Sequence, residues 1–352
     1  MRNFIKRPLF IVSAIALGIL ASLILGELIL RFNPHPIFSR KVDFHYTYWD
    51  ALGQRGVAEM GSLRPSSLLG YEHVPFQYSV GLRINSFGMV GKEYPIEKQP
   101  DTFRILLLGD SIAAQNGIRE FLEERLNTGF STDQKFQIWN AGVGSYDVRR
   151  YYLYLAHKGI HYDPDMAMIF FWLNDFDLNT FVYYQDARGI VRFDLPFRHL
   201  AGSFLLHPVL IKHSYLWRFL MARVEYMVSR LKGQKRFFLE EENGRFYLRK
   251  IQELCQQRGI PLYAVVFGDL KPWAEYKKYE QEQYATLCGV LRELNIPFLE
   301  IYTHIPEENL CGLKKYPADD IHPSREGENL IADVIYNWLH TTQNSLHVPL
   351  PK

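Results

Sequence analysis

The sequence predicts an α/β fold: a three-layer α/β/α domain on a parallel sheet, preceded by one N-terminal transmembrane helix. Two observations carry the fold. From Thr102 on, short apolar runs alternate with stretches of helical periodicity, the rhythm of βα units. The runs are apolar throughout instead of alternating with polar residues, as strands covered on both faces are. A third observation carries the anchor: from Pro8 to Leu30 the chain is apolar, with Glu27 as its single charge.

The bulk numbers set limits. A chain of 352 residues is long enough for one large domain with appendages. A formal net charge of +2, with no basic repeat interleaved with aromatics, excludes a nucleic-acid binder. Cys255, Cys288 and Cys311 show no CxxC spacing and no neighbouring histidine ladder, so no zinc site is expected. An odd number of thiols leaves at least one unpaired, and the sequence leaves a Cys255–Cys288 pairing open.

The chain divides into an N-terminal anchor (1–32), a juxtamembrane linker and lead-in (33–100), and the main domain (101–345) with an insertion at 176–244. About 20 apolar residues span a bilayer as a helix. A cleaved secretory signal is the competing reading, but its apolar core of about 7–15 residues is shorter than this stretch. Arg2, Lys6 and Arg7 precede the span, and Arg31, Arg40 and Lys41 follow it, so positive charge barely fixes its direction. A short tail before a large domain fits a cytoplasmic N-terminus and an extracytoplasmic domain. No cysteine lies near the span, which excludes a lipoprotein anchor. In the linker, Pro34, Pro36 and Pro65 punctuate a cluster of aromatics, Phe44, Tyr46, Tyr48 and Trp49, suited to the membrane interface or to packing on the domain. Gly81 to Tyr94 reads as a strand or hairpin leading into the domain.

Strands are expected at Phe103–Gly109, Phe136–Asn140, Ala167–Leu173, Pro261–Phe267 and Pro297–Ile301. Helices are expected at Gly117–Asn127, Asp147–Gly159 with Asp147 as N-cap, Arg245–Arg258, Trp273–Leu294 and Ser324–Leu339. The insertion breaks the rhythm. Within Ser214–Leu231, Leu216, Phe219, Leu220, Val224, Met227 and Val228 form a helical stripe with Arg218, Arg223 and Arg230 opposite. That pattern suits a lid, a membrane-surface helix, or a helix packed on the core with a solvated basic face.

Four stretches carry chemistry. Gly109-Asp110-Ser111 puts a hydroxyl at the end of a buried strand, where open α/β sheets hold their ligands. Asn140-Ala-Gly-Val-Gly-Ser145 ends the second strand in a glycine turn that can aim a backbone N–H at an oxyanion. Trp172-Leu-Asn-Asp175 ends the third, where the Asn174 amide can donate to the same oxyanion. Asp319-Asp-Ile-His322-Pro323-Ser324 precedes the last helix; an acid three residues before a histidine reaches its ring and fixes the tautomer, leaving the other nitrogen for a serine. Each alone also reads as an ordinary turn or cap. In a parallel sheet the strand ends share one edge, so the four converge.

On these motifs the sequence resembles the SGNH hydrolases, or GDSL esterases and lipases, over about residues 102–340. The resemblance implies a flavodoxin-like sheet, Ser111 as nucleophile, His322 as base and Asp319 as its orienter. It implies an oxyanion hole from the N–H of Ser111, a turn N–H and Asn174. The family's oxyanion glycine falls on Ser145, with Gly144 just before it. Arg83 to Tyr94, with its Asn-Ser-x-Gly, is similar to the lead-in of membrane-anchored bacterial members. An α/β-hydrolase is disfavoured, because Ala113 stands where the nucleophile elbow ends in glycine and because acid and base share one short loop. Asp110 is too close to Ser111 to be the orienting acid, and Asp320 has the wrong spacing.

The expected function is a serine esterase acting on acyl esters, acetyl esters among them, through an acyl-enzyme, and that serine chemistry needs no metal or cofactor. The alternatives are an O-acyltransferase that passes the acyl group to an envelope polysaccharide, and a non-catalytic envelope scaffold. The expected partners are an acyl-ester substrate, glycan or lipid, and a membrane held by the N-terminal helix. The insertion after Asn174 would set the acyl pocket.

Overall fold

A computed structural model describes residues 2–32, 63–66, 68–79, 82–129, 134–176, 181–186, 189–194, 214–231 and 235–346. The linker aromatics Phe44, Tyr46, Tyr48 and Trp49 lie outside the described residues, as does part of the insertion. The chain separates into two compact units. One comprises Met1–Arg55 and Thr180–Gly233, the other Gly56–Asn179 and Gln234–Lys352.

In chain order the described elements begin with helix α1 (Arg2–Phe32). Two small antiparallel pairs follow: β1 (Leu63–Ser66) with β2 (Gly70–His73), and β3 (Tyr78–Ser79) with β4 (Leu82–Arg83). Next come β5 (Thr102–Gly109), α2 (Ser111–Ala114), α3 (Gly117–Gly129), β6 (Lys135–Asn140), α4 (Val148–His157) and β7 (Met166–Phe171). The insertion carries the antiparallel hairpin β8 (Phe181–Asp186) and β9 (Gly189–Asp194), then α5 (Tyr215–Leu231). The chain ends with α6 (Lys235–Arg258), β10 (Leu262–Val266), α7 (Lys278–Glu293), β11 (Phe298–Glu300), α8 (Glu307–Leu310) and α9 (Arg325–Leu346).

In the larger unit, five strands pair in the order β11-β10-β7-β5-β6, every pairing parallel. In β5 every residue is buried, as a strand covered on both faces must be. Its side chains divide with a period of two. Phe103, Ile105 and Leu107 join Ile118, Leu122 and Leu126 of α3 and Ile331, Ile335 and Leu339 of α9 in one core. Leu106 and Leu108, pointing the other way, are equally buried, as are Tyr151 and Leu155 of α4 and Leu248 and Ile251 of α6. This is the three-layer α/β/α arrangement. Its strand order reverses between β5 and β7, so the crevice at their carboxyl ends is where such a sheet binds a ligand.

Two helices show where the structure departs from the sequence reading. The helix expected from Arg245 begins ten residues earlier, at Lys235. Gly244, where the insertion is expected to end, lies inside this helix and is a packing residue: a Cβ there would meet the Phe176 ring. The stretch from Trp273 is two elements, a single 3-10 turn at Trp273–Glu275 and then α7, because Tyr276 and Lys277 are extended. Cys255 and Cys288, whose pairing the sequence left open, are both free and buried; the exposed Cys311 is also free.

In the smaller unit, the apolar part of α1, Ser13–Phe32, has a mean hydropathy of 2.2 and is long enough to cross a membrane. A signal sequence passes the same test. Its large side chains are uncovered, from Ile11 through Leu20 to Phe32.

Candidate active site

Ser111 stands one residue past β5, after Asp110, as the first residue of α2. The turn is tight: a Cβ on Gly109 would lie 2.7 Å from the Ala113 Cβ. Asp110 caps the short helix, its Oδ1 accepting the Ile112 N–H at 2.9 Å. The hydroxyl is therefore carried by a buried strand and a capped turn and has little freedom to wander.

From the other end of the chain comes His322. Its Nε2 lies 2.9 Å from Ser111 Oγ, and its Nδ1 lies 2.9 Å from Asp319 Oδ2. A carboxylate accepts only, so Nδ1 carries the proton and Nε2 is free to accept one from the serine. Asp319 Oδ1 accepts the backbone N–H groups of Ile321 and His322 at 3.0 and 3.1 Å. Burial alone would raise the Asp319 carboxyl. The backbone N–H bonds and the His322 ring outweigh it and hold the group below its ordinary value, so it stays ionised beside the imidazole.

Polar contacts brace the loop that bears the pair. The Lys315 N–H donates to the His322 carbonyl at 2.9 Å, and the Ser324 N–H to the Leu313 carbonyl at 2.6 Å. Asp320 turns away from the histidine and accepts from Lys314 Nζ at 2.6 Å. Buried Lys271 lies 4.0 Å from Asp320 Oδ2, between Asp269 at 2.6 Å and Glu280 at 3.1 Å. The Leu270 N–H donates to the Asp320 carbonyl. The loop is thus tied to the segment that follows β10.

The glycine turn also faces Ser111. A Cβ built on Gly144 would meet Ser111 Cβ at 4.0 Å and nothing nearer. Neighbouring N–H groups are committed: Gly142 to Asn140 Oδ1 at 2.9 Å, Val143 to the Gly109 carbonyl at 3.1 Å, Tyr146 to the Val143 carbonyl at 3.0 Å. The Gly144 carbonyl accepts from Tyr71 Oη at 2.6 Å. In a trans peptide the C=O and the following N–H point in opposite directions, so the Ser145 N–H is turned away from Tyr71. Ser145 has φ +61°, a left-handed conformation that favours glycine, which is the residue the SGNH pattern has there.

Asn174, half-buried, lies within the turn after β7, and its amide makes no hydrogen bond among the described residues. Asp175 fixes that turn. Its Oδ2 accepts from the Trp172 N–H at 3.0 Å and from Tyr151 Oη at 2.8 Å, and its carbonyl accepts the Val148 N–H at 2.9 Å. Burial raises the carboxyls of both Asp175 and Asp110, and Asp110 adds repulsion to Asp175.

Sequence reasoning missed Tyr71, Asp175 and Tyr151. Asp175 stood in view within Leu-Asn-Asp; nothing in the sequence pointed to the two tyrosines. A cavity of about 680 Å³ lined by Phe76, Arg83, Asn116 and Arg119, among others, contains none of Ser111, Asp319 and His322. Among the described residues no cluster of His, Cys, Asp or Glu is arranged to hold a metal ion.

No protein-family model and no curated protein matches the chain. Solved structures similar to it include an acetyl xylan esterase from Geobacillus stearothermophilus, 14% identical over 67% of this chain and 93% of that one, with a TM-score of 0.42. A lipase/acylhydrolase from Enterococcus faecalis is 15% identical over 68% and 96%, with a TM-score of 0.41. Another acetyl xylan esterase is 14% identical over 67% and 100%, also with a TM-score of 0.41.

Proposed function

We propose that the chain is a membrane-anchored serine esterase that hydrolyses acyl esters through an acyl-enzyme. The observation that carries this reading is the Ser111–His322–Asp319 relay, both links at 2.9 Å, built from opposite ends of the sequence. A serine hydroxyl is a weak nucleophile until a base takes its proton.

His322 Nε2 takes the Ser111 proton as Oγ attacks the ester carbonyl carbon. The C=O π electrons move onto oxygen, and the N–H groups of Ser111 and Ser145 with the Asn174 amide hold that oxyanion. Asp319 keeps the imidazole oriented and offsets its positive charge. The tetrahedral adduct collapses, the C–O bond to the alcohol breaks, and His322 hands its proton to the departing oxygen. Water then repeats the sequence on the acyl-Ser111 ester, giving the acid and the free serine. Gly144 lines the site opposite Ser111, and Tyr71 and Asp175 position the turns that carry Ser145 and Asn174.

The anchor belongs to the same reading. Glu27 of α1 accepts hydrogen bonds from the start of α5, which supports a retained helix.

An acyl-length series of p-nitrophenyl esters tests the activity on the full chain in detergent. Turnover that falls to background in Ser111→Ala is expected. Turnover surviving in that variant would remove Ser111 from the chemistry. Adding a polysaccharide to the same assay separates hydrolysis from transfer: released acid alone marks an esterase, and acylated polysaccharide marks a transferase.

A further inference from the structure

One charge stands inside the apolar span of α1, and the smaller unit gives it a specific set of partners. Glu27 Oε2 accepts from Ser214 Oγ and from the Leu216 N–H, each at 2.8 Å. Its Oε1 accepts the Tyr215 N–H at 3.0 Å and Arg31 Nε at 2.8 Å. The first N–H groups of a helix have no partner within it, and the helix dipole is positive there, so a carboxylate at that point both satisfies and stabilises the start of α5. Ser214 completes the cap by accepting the Trp217 N–H at 3.0 Å. Next to Glu27, Gly26 leaves room for Leu216, whose Cδ1 would lie 3.4 Å from a Cβ built there. The Arg31 guanidinium lies 5.5 Å from the centre of the Tyr215 ring. The start of α5 is therefore fastened within the last two turns of α1, at the exit end of the span.

That attachment gives α5 a face with a defined continuation. Leu216, which packs at Gly26, shares one helical stripe with Leu220, Val224 and Met227. Beyond Leu216 the stripe is partly uncovered: Leu220 is 40% exposed and Met227 55%, with Val224 half-buried between them. The exposed Arg223 stands seven residues after Leu216, about two turns on, so it lies beside the stripe and not opposite it as the sequence reading has it. It lies 5.1 Å from the Phe219 ring and has no acid partner among the described residues.

We propose that α5 is a second membrane contact, an interfacial helix lying in the headgroup layer where α1 leaves the bilayer. Leu220, Val224 and Met227 rest against acyl chains, and Arg223 faces anionic headgroups. The occupant follows from continuity: the bilayer that covers the bare side chains of α1 also meets a helix fastened to the end of that span. An amphipathic helix with basic residues beside its apolar face binds such a layer at a depth of about 5–10 Å. This inference rests on the reading of α1 as an anchor. It makes the insertion a part of the membrane attachment and gives Glu27 a structural reason to sit in an apolar span.

The test uses the full chain, with the exposed Cys311 changed to Ser, in vesicles containing phosphatidylcholine and phosphatidylglycerol. Single spin labels are placed at Leu20→Cys in α1, at Leu220→Cys and Met227→Cys in α5, and at Tyr316→Cys, exposed on the larger unit. Collision with oxygen, which concentrates in lipid, is compared with collision with a water-soluble nickel chelate. A severalfold higher oxygen-to-nickel ratio at 20, 220 and 227 than at 316 is expected. A lipid-like ratio at 20 with water-like ratios at 220 and 227 would overturn the inference and leave the anchor standing. A water-like ratio at 20 as well would overturn both. Glu27→Ala should then lower the ratio at 220 severalfold without changing it at 20, and an unchanged ratio at 220 would overturn the fastening.

Discussion

The two halves of the site are held by different means. Ser111 is held by a buried strand: β5 has neighbours on both sides, and its turn is capped by Asp110. His322 and Asp319 sit in a loop about a quarter exposed, braced by backbone bonds, by Asp320–Lys314 and by the nearby Lys271 cluster. A sheet end is rigid because moving it breaks packing on two faces. A braced loop keeps its geometry only while its polar ties hold. Substitutions that remove reacting atoms should therefore damage both halves alike, whereas substitutions in the supports should affect the loop half more gradually.

The largest effect is expected at the reacting atoms. Ser111→Ala and His322→Ala should each lower kcat by about 10⁴-fold or more, and the double variant should be scarcely worse, because the pair acts as a unit. Losses that multiply in the double variant would contradict this. Asp319→Asn should cost about 10³–10⁴-fold, measured on p-nitrophenyl acetate, since an amide in place of the carboxylate disturbs the tautomer. Asn174→Ala should cost about 10²–10³-fold in kcat as one oxyanion donor is lost. The supports come last. Tyr71→Phe and Asp320→Asn should each lower kcat by about tenfold with KM little changed, as small displacements of positioned groups do. Equal losses in KM would make them contacts to substrate instead of supports.

Acid titration separates the halves in another way. The folded-state pKa of Asp319 is lowered, so its contribution to stability is complete above the ordinary carboxylate value and is lost as pH falls through the lowered one. The stability difference between wild type and Asp319→Asn in urea unfolding should therefore be widest near neutral pH and shrink below the usual carboxylate range. Buried Asp110 has the opposite sign, because burial raises it, and its protonation on acidification favours the folded state.

Legibility in the sequence follows the same division. The central strands are visible because a strand covered on both faces is apolar over most of its length, as Ile105–Leu108 and Met166–Phe171 are, whereas the edge strands β6 and β11 carry Lys135, Gln137 and Glu300. Ser111, Asn174, Asp319 and His322 are visible because each stands at a strand end or loop with a recognisable neighbour. Tyr71 is invisible because its reach from the short strand β2 to Gly144 joins residues 73 positions apart. The start of α6 is missed because the helix runs through Gly244, whose lack of a side chain makes room for the Phe176 ring. Glu27 reads as a stray charge in an apolar run until its partners at Ser214–Leu216 are in place.

The most direct test of the central claim is labelling of the full chain with a fluorophosphonate, followed by mass spectrometry of the modified peptide. A single adduct on Ser111 is expected, absent from Ser111→Ala and formed at least about 10³-fold more slowly in His322→Ala. An adduct on another residue, or labelling of Ser111 at an unchanged rate without His322, would contradict it.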